Sequence, residues 1–233
     1  MGELIGLDLS IASEEVISIL LENPADERVF YEILEANRQR PEVLRLLYEC
    51  RRTPEPVIKE VAELLSLPVK ATGTAVVGAE TEVEAEAEEA VEATEEKTKG
   101  LLQKIQRLRI GEKIQLALRG GKEIRNILLR DPNKEVVLKV LENPKITESE
   151  VEMAARNPAI PEEALRYISK KRDWIRRYPV KVALVGNPKT PPGISTTFIS
   201  HLRMTDLVIL EKNKNIPEVV RNAIKRYIKM KKR

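Results

Sequence analysis

Residues 131–165 read DPNKEVVLKVLENPKITESEVEMAARNPAIPEEAL, and their punctuation decides the fold. Asp131-Pro132, Asn143-Pro144 and Asn157-Pro158 each close one apolar-periodic stretch and precede another. The Asn or Asp caps or turns the chain, and the proline forbids the preceding helix from continuing. Asn187-Pro188 repeats the device, and Lys214-Asn215-Ile216-Pro217 plays the same part. Between these marks apolar residues fall at helical spacing, which predicts short helices near 101–109, 111–119, 122–130, 134–142, 148–156, 161–170, 173–186, 192–201, 204–212 and 217–229.

Upstream the same grammar is softer. Helical patterns are predicted at about 13–22, 26–37, 41–51 and 54–66, with Ser13 and the following Glu14 and Glu15 marking one start. Pro41 and Pro54 stand where a first-turn proline is tolerated, and Pro24 separates two patterns. Val43, Leu44 and Leu47 form one apolar stripe, and Val57, Ile58, Val61 and Leu64 the next. Aromatic residues are few (Phe30, Tyr31, Tyr48, Tyr167, Trp174, Tyr178, Phe198 and Tyr227), so the core must come from Leu, Ile, Val and Ala. That composition suits helix packed on helix and speaks against a large β-sandwich.

The segment from Leu67 to Lys99 is different: small residues, Gly, Thr and alternating Glu/Ala or Glu/Val. Its glutamates repel one another and it has few bulky aliphatics, so it reads as a flexible acidic linker, with a solvated helix over 79–98 as the competing reading. The expected organisation is a small helical module over 1–66, the linker over 67–99 and a second helical domain over 100–233. Charge follows the same division. Residues 1–78 carry 8 Lys+Arg and 14 Asp+Glu, residues 79–99 carry 2 and 9, and residues 100–233 carry 30 and 14, a net of +16 in the last part. An acidic module tethered to a basic one is implied.

The stretches are internally similar. LLENPADERVF at 20–30 matches VLENPKITESEV at 140–151, and ARNPAIPEEAL at 155–165 matches GNPKTPPGI at 186–194 and KNKNIPEVV at 212–220. The turn positions 131, 143, 157, 187 and 213 are separated by 12, 14, 30 and 26 residues, one or two short helices each time. Such spacing marks stacked helical hairpins, each burying its apolar face against its neighbours. The pattern of a leucine pair, Asn-Pro, a small gap and then Pro-Glu-Glu or Glu-x-x-Val-Leu resembles leucine-rich-repeat-variant and HEAT-like α-solenoids, over roughly 14–66 and 110–228. Residues 111–147 also resemble a module of uncharacterised bacterial proteins. The resemblance implies an all-α architecture of short hairpin repeats and a binding surface rather than a chemistry. The iron–sulfur module of some leucine-rich-repeat-variant proteins needs clustered cysteines, and this chain has one.

Chemical motifs are sparse. Cys50, the single cysteine, rules out an internal disulfide and a multi-cysteine metal site; it ends an apolar helix beside Arg51 and Arg52 and reads as a structural thiol. His201, the single histidine, reads as a helix C-terminal residue, since Asp206 follows in another predicted helix. Glu162-Glu163 reads as a first-turn pair suited to the helix dipole. GTAVVGAET at 73–81 lacks the Gly-Lys-Ser/Thr of a phosphate loop, and Gly120-Gly121 reads as a turn between helices. No cofactor is expected. The first residues lack the charged and apolar regions of a secretory leader, Gly6 replaces the Ser or Thr of a myristoylation signal, and no apolar run reaches the length of a transmembrane helix. A cytoplasmic protein is expected. The many charged residues, with scarce Cys, His and Gln, resemble thermophile composition.

Two basic clusters stand out. Lys170, Lys171, Arg172, Arg176, Arg177 and Lys181 surround Trp174 and Tyr178, interleaving phosphate-neutralising cations with rings able to stack on bases. On one helix, rings four apart share a face, so they read as core packing while the cations form the surface. The tail adds Arg221, Lys225, Arg226 and Lys229 beside an apolar stripe of Val219, Val220, Ala223, Ile224, Tyr227 and Ile228. Arg119, Lys122, Arg125, Arg130, Lys134 and Lys139 continue the basic residues upstream. The expectation is a non-enzymatic adaptor docking on an anionic partner, nucleic acid or an acidic protein surface, with the acidic linker as an internal competitor. The alternatives are a protein–protein scaffold, a membrane-surface role for the last helix, or a DNA-acting enzyme of the helical-repeat glycosylase kind, for which Asp173-Trp174 is the hint.

Overall fold

The computed structural model describes residues 9–68 and 98–231. Among them the regular structure is helical throughout, and the only bridge pairs Pro24 with Gly120. The expectation of an all-α protein is met. The chain divides into an N-terminal unit, Met1–Arg125, and a C-terminal unit, Asn126–Arg233.

The N-terminal unit begins with a 3-10 turn, Leu9–Ile11, followed by α1 (Glu14–Glu22), α2 (Arg28–Ala36), α3 (Pro41–Glu49) and α4 (Glu55–Leu65). Helical residues 98–107 (α5) and α6 (Ile110–Arg119) complete it, and the division falls inside α7 (Lys122–Leu128). Ser13 caps α1 by accepting the Val16 N–H at 3.4 Å, and Pro41 occupies the first turn of α3, as their positions predicted. Arg40 staples the start of the chain by donating to the carbonyls of Ser10 (3.0 Å) and Ala12 (2.9 Å). Val16, Ile17, Ile19, Leu20 and Leu21 of α1 are all buried, so this helix sits at the centre of the unit, against α2, α3 and α6.

The N-terminal unit thus takes in residues 98–125 as well. The α6–α7 junction is tied to the Asn23–Pro24 turn: Ala25 donates to the Arg119 carbonyl (3.0 Å) and Gly121 to the Asn23 carbonyl (2.7 Å). Gly121 has to be glycine for this approach, since a Cβ there would lie 2.8 Å from the Pro24 oxygen. The Ser13 hydroxyl donates to Glu112 at 2.8 Å, and Arg119–Glu32 (3.0 Å) and Lys104–Glu22 (3.3 Å) bridge the basic segment to acidic helices. Exposed pairs of this kind contribute about 0–1 kcal/mol. Leu101, Ile105, Leu108, Leu116 and Ala117 are buried in the same unit, and large aliphatic side chains are worth about 1.5–3 kcal/mol each. Burial holds the segment in place, and the ion pairs select which surface it meets. Residues 69–97 of the expected linker lie outside the described residues.

The C-terminal unit runs through α8 (Lys134–Leu141), α9 (Glu148–Arg156), α10 (Glu162–Lys170), α11 (Arg172–Arg176), α12 (Tyr178–Gly186), α13 (Pro192–Ile199), α14 (Met204–Lys212) and α15 (Glu218–Lys231). Its turns are built alike. The side-chain oxygens of Asn143, Asn157, Asn187 and Asn213 accept the backbone N–H two residues on, at 2.8–2.9 Å. A buried residue, Ile160, Thr190 or Ile216, then follows the last three. At α9 the capping box closes fully: Thr147 N–H and hydroxyl both donate to Glu150, whose own N–H reaches the Thr147 hydroxyl. Helix α8 packs on α10, α9 on α12, and α13 on both α12 and α15. Asn187 ties two of these levels together, its side-chain amide donating to the carbonyls of Ala155 (2.7 Å) and Asn157 (2.9 Å).

One predicted helix, 173–186, is two. Arg177 leaves helical geometry at φ −73° and ψ 122°, and α12 starts at Tyr178 with Pro179 in its first turn. A continuous helix would press the Pro179 ring against the Ile175 carbonyl and leave that oxygen without its donor.

Candidate anion-binding surface

The break at Arg177 redistributes the first basic cluster. Trp174 and Tyr178 no longer share a helix face, and neither enters the core: α11 has no buried residue, and both rings are half-buried. Trp174 packs against Tyr167 of α10, ring centroids 5.9 Å apart and planes inclined by 58°. Tyr178 turns the other way, donating its hydroxyl to Asp206 while accepting the Arg203 N–H at 2.8 Å. The Arg203 guanidinium covers its ring at 4.9 Å. Burial, reinforced by the Asp206 carboxylate, holds the Tyr178 phenol above its ordinary pKa. Asp206 is thereby engaged with Tyr178, at the start of α14 and across the turn from His201.

The cations separate by partner. Arg177 is committed to Glu148 on α9, at 2.6 Å. Lys171 lies over the Tyr167 ring, 5.0 Å from its centroid. Lys170, Arg172 and Arg176 are exposed, and Arg176 reaches Asp173 only at 3.8 Å, with both side chains largely in water. Lys181 is half-buried on α12. On α15, Arg221 is half-buried while Lys225, Arg226 and Lys229 are exposed, opposite the buried Val220, Ile224 and Ile228. Val219, expected in that apolar stripe, is instead 65% exposed.

Three of the predicted cations converge. Arg172, Arg176 and Lys181 line an open cavity of about 300 Å³ whose other walls are Ile175, Phe198 and His201. The sequence did not indicate the last three, because they come from α11, from α13 and from the turn after α13. Helix α15 reaches the adjoining turn: Tyr227 donates to the Ser200 carbonyl at 3.5 Å, next to His201. A second cavity, of about 390 Å³, lies between α7, α9 and the Asn157 turn and includes Arg130 and Arg156. Arg156 there is paired with Glu152 at 2.6 Å.

Regrouping the charge by the observed units sharpens it. The N-terminal unit holds 17 Lys+Arg and 25 Asp+Glu, the C-terminal unit 23 and 12. Within the latter, residues 126–164 hold 5 and 8 whereas residues 165–233 hold 18 and 4, a net of +14. The positive charge belongs to the end of α10 and everything after it.

The remaining candidates for chemistry have structural surroundings. Cys50 directs its thiol at the Leu21 carbonyl, 3.7 Å away. Glu162 pairs with Arg166 one turn on, and Glu163 with Lys134 at 3.2 Å. A backbone hydrogen bond at the start of α10, then Lys134, holds the Glu163 carboxyl below its usual range. Among the described residues no group of three or more His, Cys, Asp or Glu side chains is placed to hold a metal ion, and no helix is long and apolar enough to cross a membrane.

Among the described residues the protein is all-α, and its positive charge is concentrated after residue 164. In comparisons with protein-family models, curated proteins and solved structures, the chain has no significant match.

Proposed function

We propose that this is a non-enzymatic, cytoplasmic binding protein of stacked short-helix repeats, whose C-terminal unit docks on the phosphates of a nucleic acid. The observation that carries the reading is the +14 net charge of residues 165–233, with Lys170, Arg172, Arg176, Lys225, Arg226 and Lys229 exposed to solvent. Cations presented in this way neutralise phosphates and release counterions without reading base sequence. The Asn turns, alike at 143, 157, 187 and 213, and the hydrogen bonds from Asn187 to the level before it support the repeat architecture. Asp173, the residue a glycosylase-like reading would need, has a side chain 90% exposed, and Trp174 beside it packs tilted against Tyr167.

Fluorescence anisotropy of the full chain with labelled single- and double-stranded oligonucleotides, titrated with salt, tests the proposal. Association that weakens steeply and linearly in log salt is expected. Absence of binding to either strand type at low salt sinks it. The second reading, an acidic protein surface, draws on Ile209, Val219 and Met230, which are 65–67% exposed on α14 and α15 among the cations. A tight complex with a flat salt response would favour that reading.

A further inference from the structure

We infer that the cavity between α11, α12 and the end of α13 is a site for a phosphomonoester-bearing nucleotide, free or at the end of a strand. The inference rests on the nucleic-acid reading above and adds a specific ligand to it.

Three basic side chains, Arg172, Arg176 and Lys181, line this cavity together with His201, and no carboxylate is among its walls. Asp173 is 3.8 Å from Arg176 with both side chains open to solvent, a geometry that neutralises little. Like charges gathered around one concavity repel each other until an anion enters. A terminal phosphate carries close to two negative charges at neutral pH, whereas each internal phosphodiester carries one. The two arginines come from one turn of α11, four residues apart, so both guanidinium forks reach the same side of the cavity. Pro179 keeps α11 from running on into α12, so Arg172 and Arg176 sit on a short helix of their own and line the cavity with Lys181 of α12.

The apolar lining decides the rest of the ligand. Ile175 and Phe198 give the cavity two apolar walls, which an inorganic anion would leave uncovered and a sugar or base would cover. A volume of about 300 Å³ is room for one nucleotide. A phosphoserine peptide would engage the cations but bring little to the apolar walls.

The test uses the full chain and short single-stranded oligonucleotides of one sequence, bearing a 5′-phosphate, a 3′-phosphate or hydroxyls at both ends. One phosphorylated form should bind about tenfold tighter than the hydroxyl-ended strand, the size of one good charge-assisted contact. The double variant Arg172→Gln/Arg176→Gln, whose changes are on the surface, should abolish that ratio, and Lys181→Gln should reduce it. The triple variant Arg221→Gln/Lys225→Gln/Arg226→Gln should weaken all strands and preserve the ratio. Calorimetry with AMP separates the sources: saturable binding lost in the double variant assigns the site to free nucleotide, and silence alongside strand-end discrimination assigns it to strand ends. Equal binding of all strands with no AMP binding overturns the inference and leaves surface docking intact. No binding of any strand or of AMP overturns both. A phosphoserine peptide that binds as tightly as the phosphorylated strand, and loses binding in the double variant, overturns the nucleotide assignment.

Discussion

Replacing Asn187 by alanine tests whether the turns of the C-terminal unit hold its helical levels together. Asn187 is 1% exposed and its side chain makes three hydrogen bonds: two donated to the carbonyls of Ala155 and Asn157, and one accepted from the Lys189 N–H. Each contributes about 0.5–1.5 kcal/mol net, and the Asn157 carbonyl keeps the Ile160 N–H at 3.3 Å when the amide is removed. Asn187→Ala should therefore destabilise the unit by about 2–4 kcal/mol. Asn187→Asp keeps the acceptor toward Lys189 but faces a carboxylate to two carbonyl oxygens, so it should be at least as damaging. Trp174, the single tryptophan, lies in this unit, and its fluorescence in a urea titration reads the loss without interference from the N-terminal helices. A midpoint shift equivalent to less than about 0.5 kcal/mol, the range of an ordinary surface substitution, would refute the reasoning.

Other expectations follow from the same geometry. Neutralising Arg221, Lys225 and Arg226 with glutamine should lower the salt slope of nucleic-acid binding by about 2–3, near one for each phosphate no longer neutralised, as read by anisotropy. Tyr178→Phe removes the bonds to Asp206 and Arg203 and should cost about 1–2 kcal/mol at neutral pH. Because the Tyr178 pKa is raised on folding, its contribution is fully present below the unfolded value of about 10 and is lost as pH rises through the higher folded value. Urea titrations of wild type and variant should converge only in that alkaline range. Gly121→Ala drives a Cβ against the Asn23–Pro24 backbone and should destabilise the N-terminal unit by about 1–3 kcal/mol in circular-dichroism melts. Deleting residues 79–97, which hold nine glutamates and one lysine, should tighten oligonucleotide binding at low salt and make no difference at high salt, where the competing charge is screened. Unchanged affinity at low salt would remove the linker as an internal competitor.

Local signals carried most of the helix boundaries. Ser13, Asn133 and Thr147 cap because a side-chain oxygen satisfies a backbone N–H two or three residues away, a relation visible in the string. The helix predicted over 173–186 is broken at Arg177, because the periodic pattern between turn marks left Pro179 out of account. The proline's covalent restriction outweighs the modest gain of an apolar face.

What the sequence by itself determined is the all-helical architecture, the spacing of its turns and the excess of positive charge toward the C-terminus, because capping, periodicity and charge are properties of near neighbours. What the tertiary structure decided is where the units divide and which residues meet. The segment 100–125 reads as the start of the basic half, yet it folds with acidic helices through its buried Leu101, Ile105, Leu108 and Leu116, and Gly121 admits the Asn23–Pro24 backbone. Phe198 and His201, more than twenty residues from Arg172 and Arg176, share a cavity with them only through the packing of α12 on α13. Such meetings depend on side-chain shape across chain separations that periodicity does not encode.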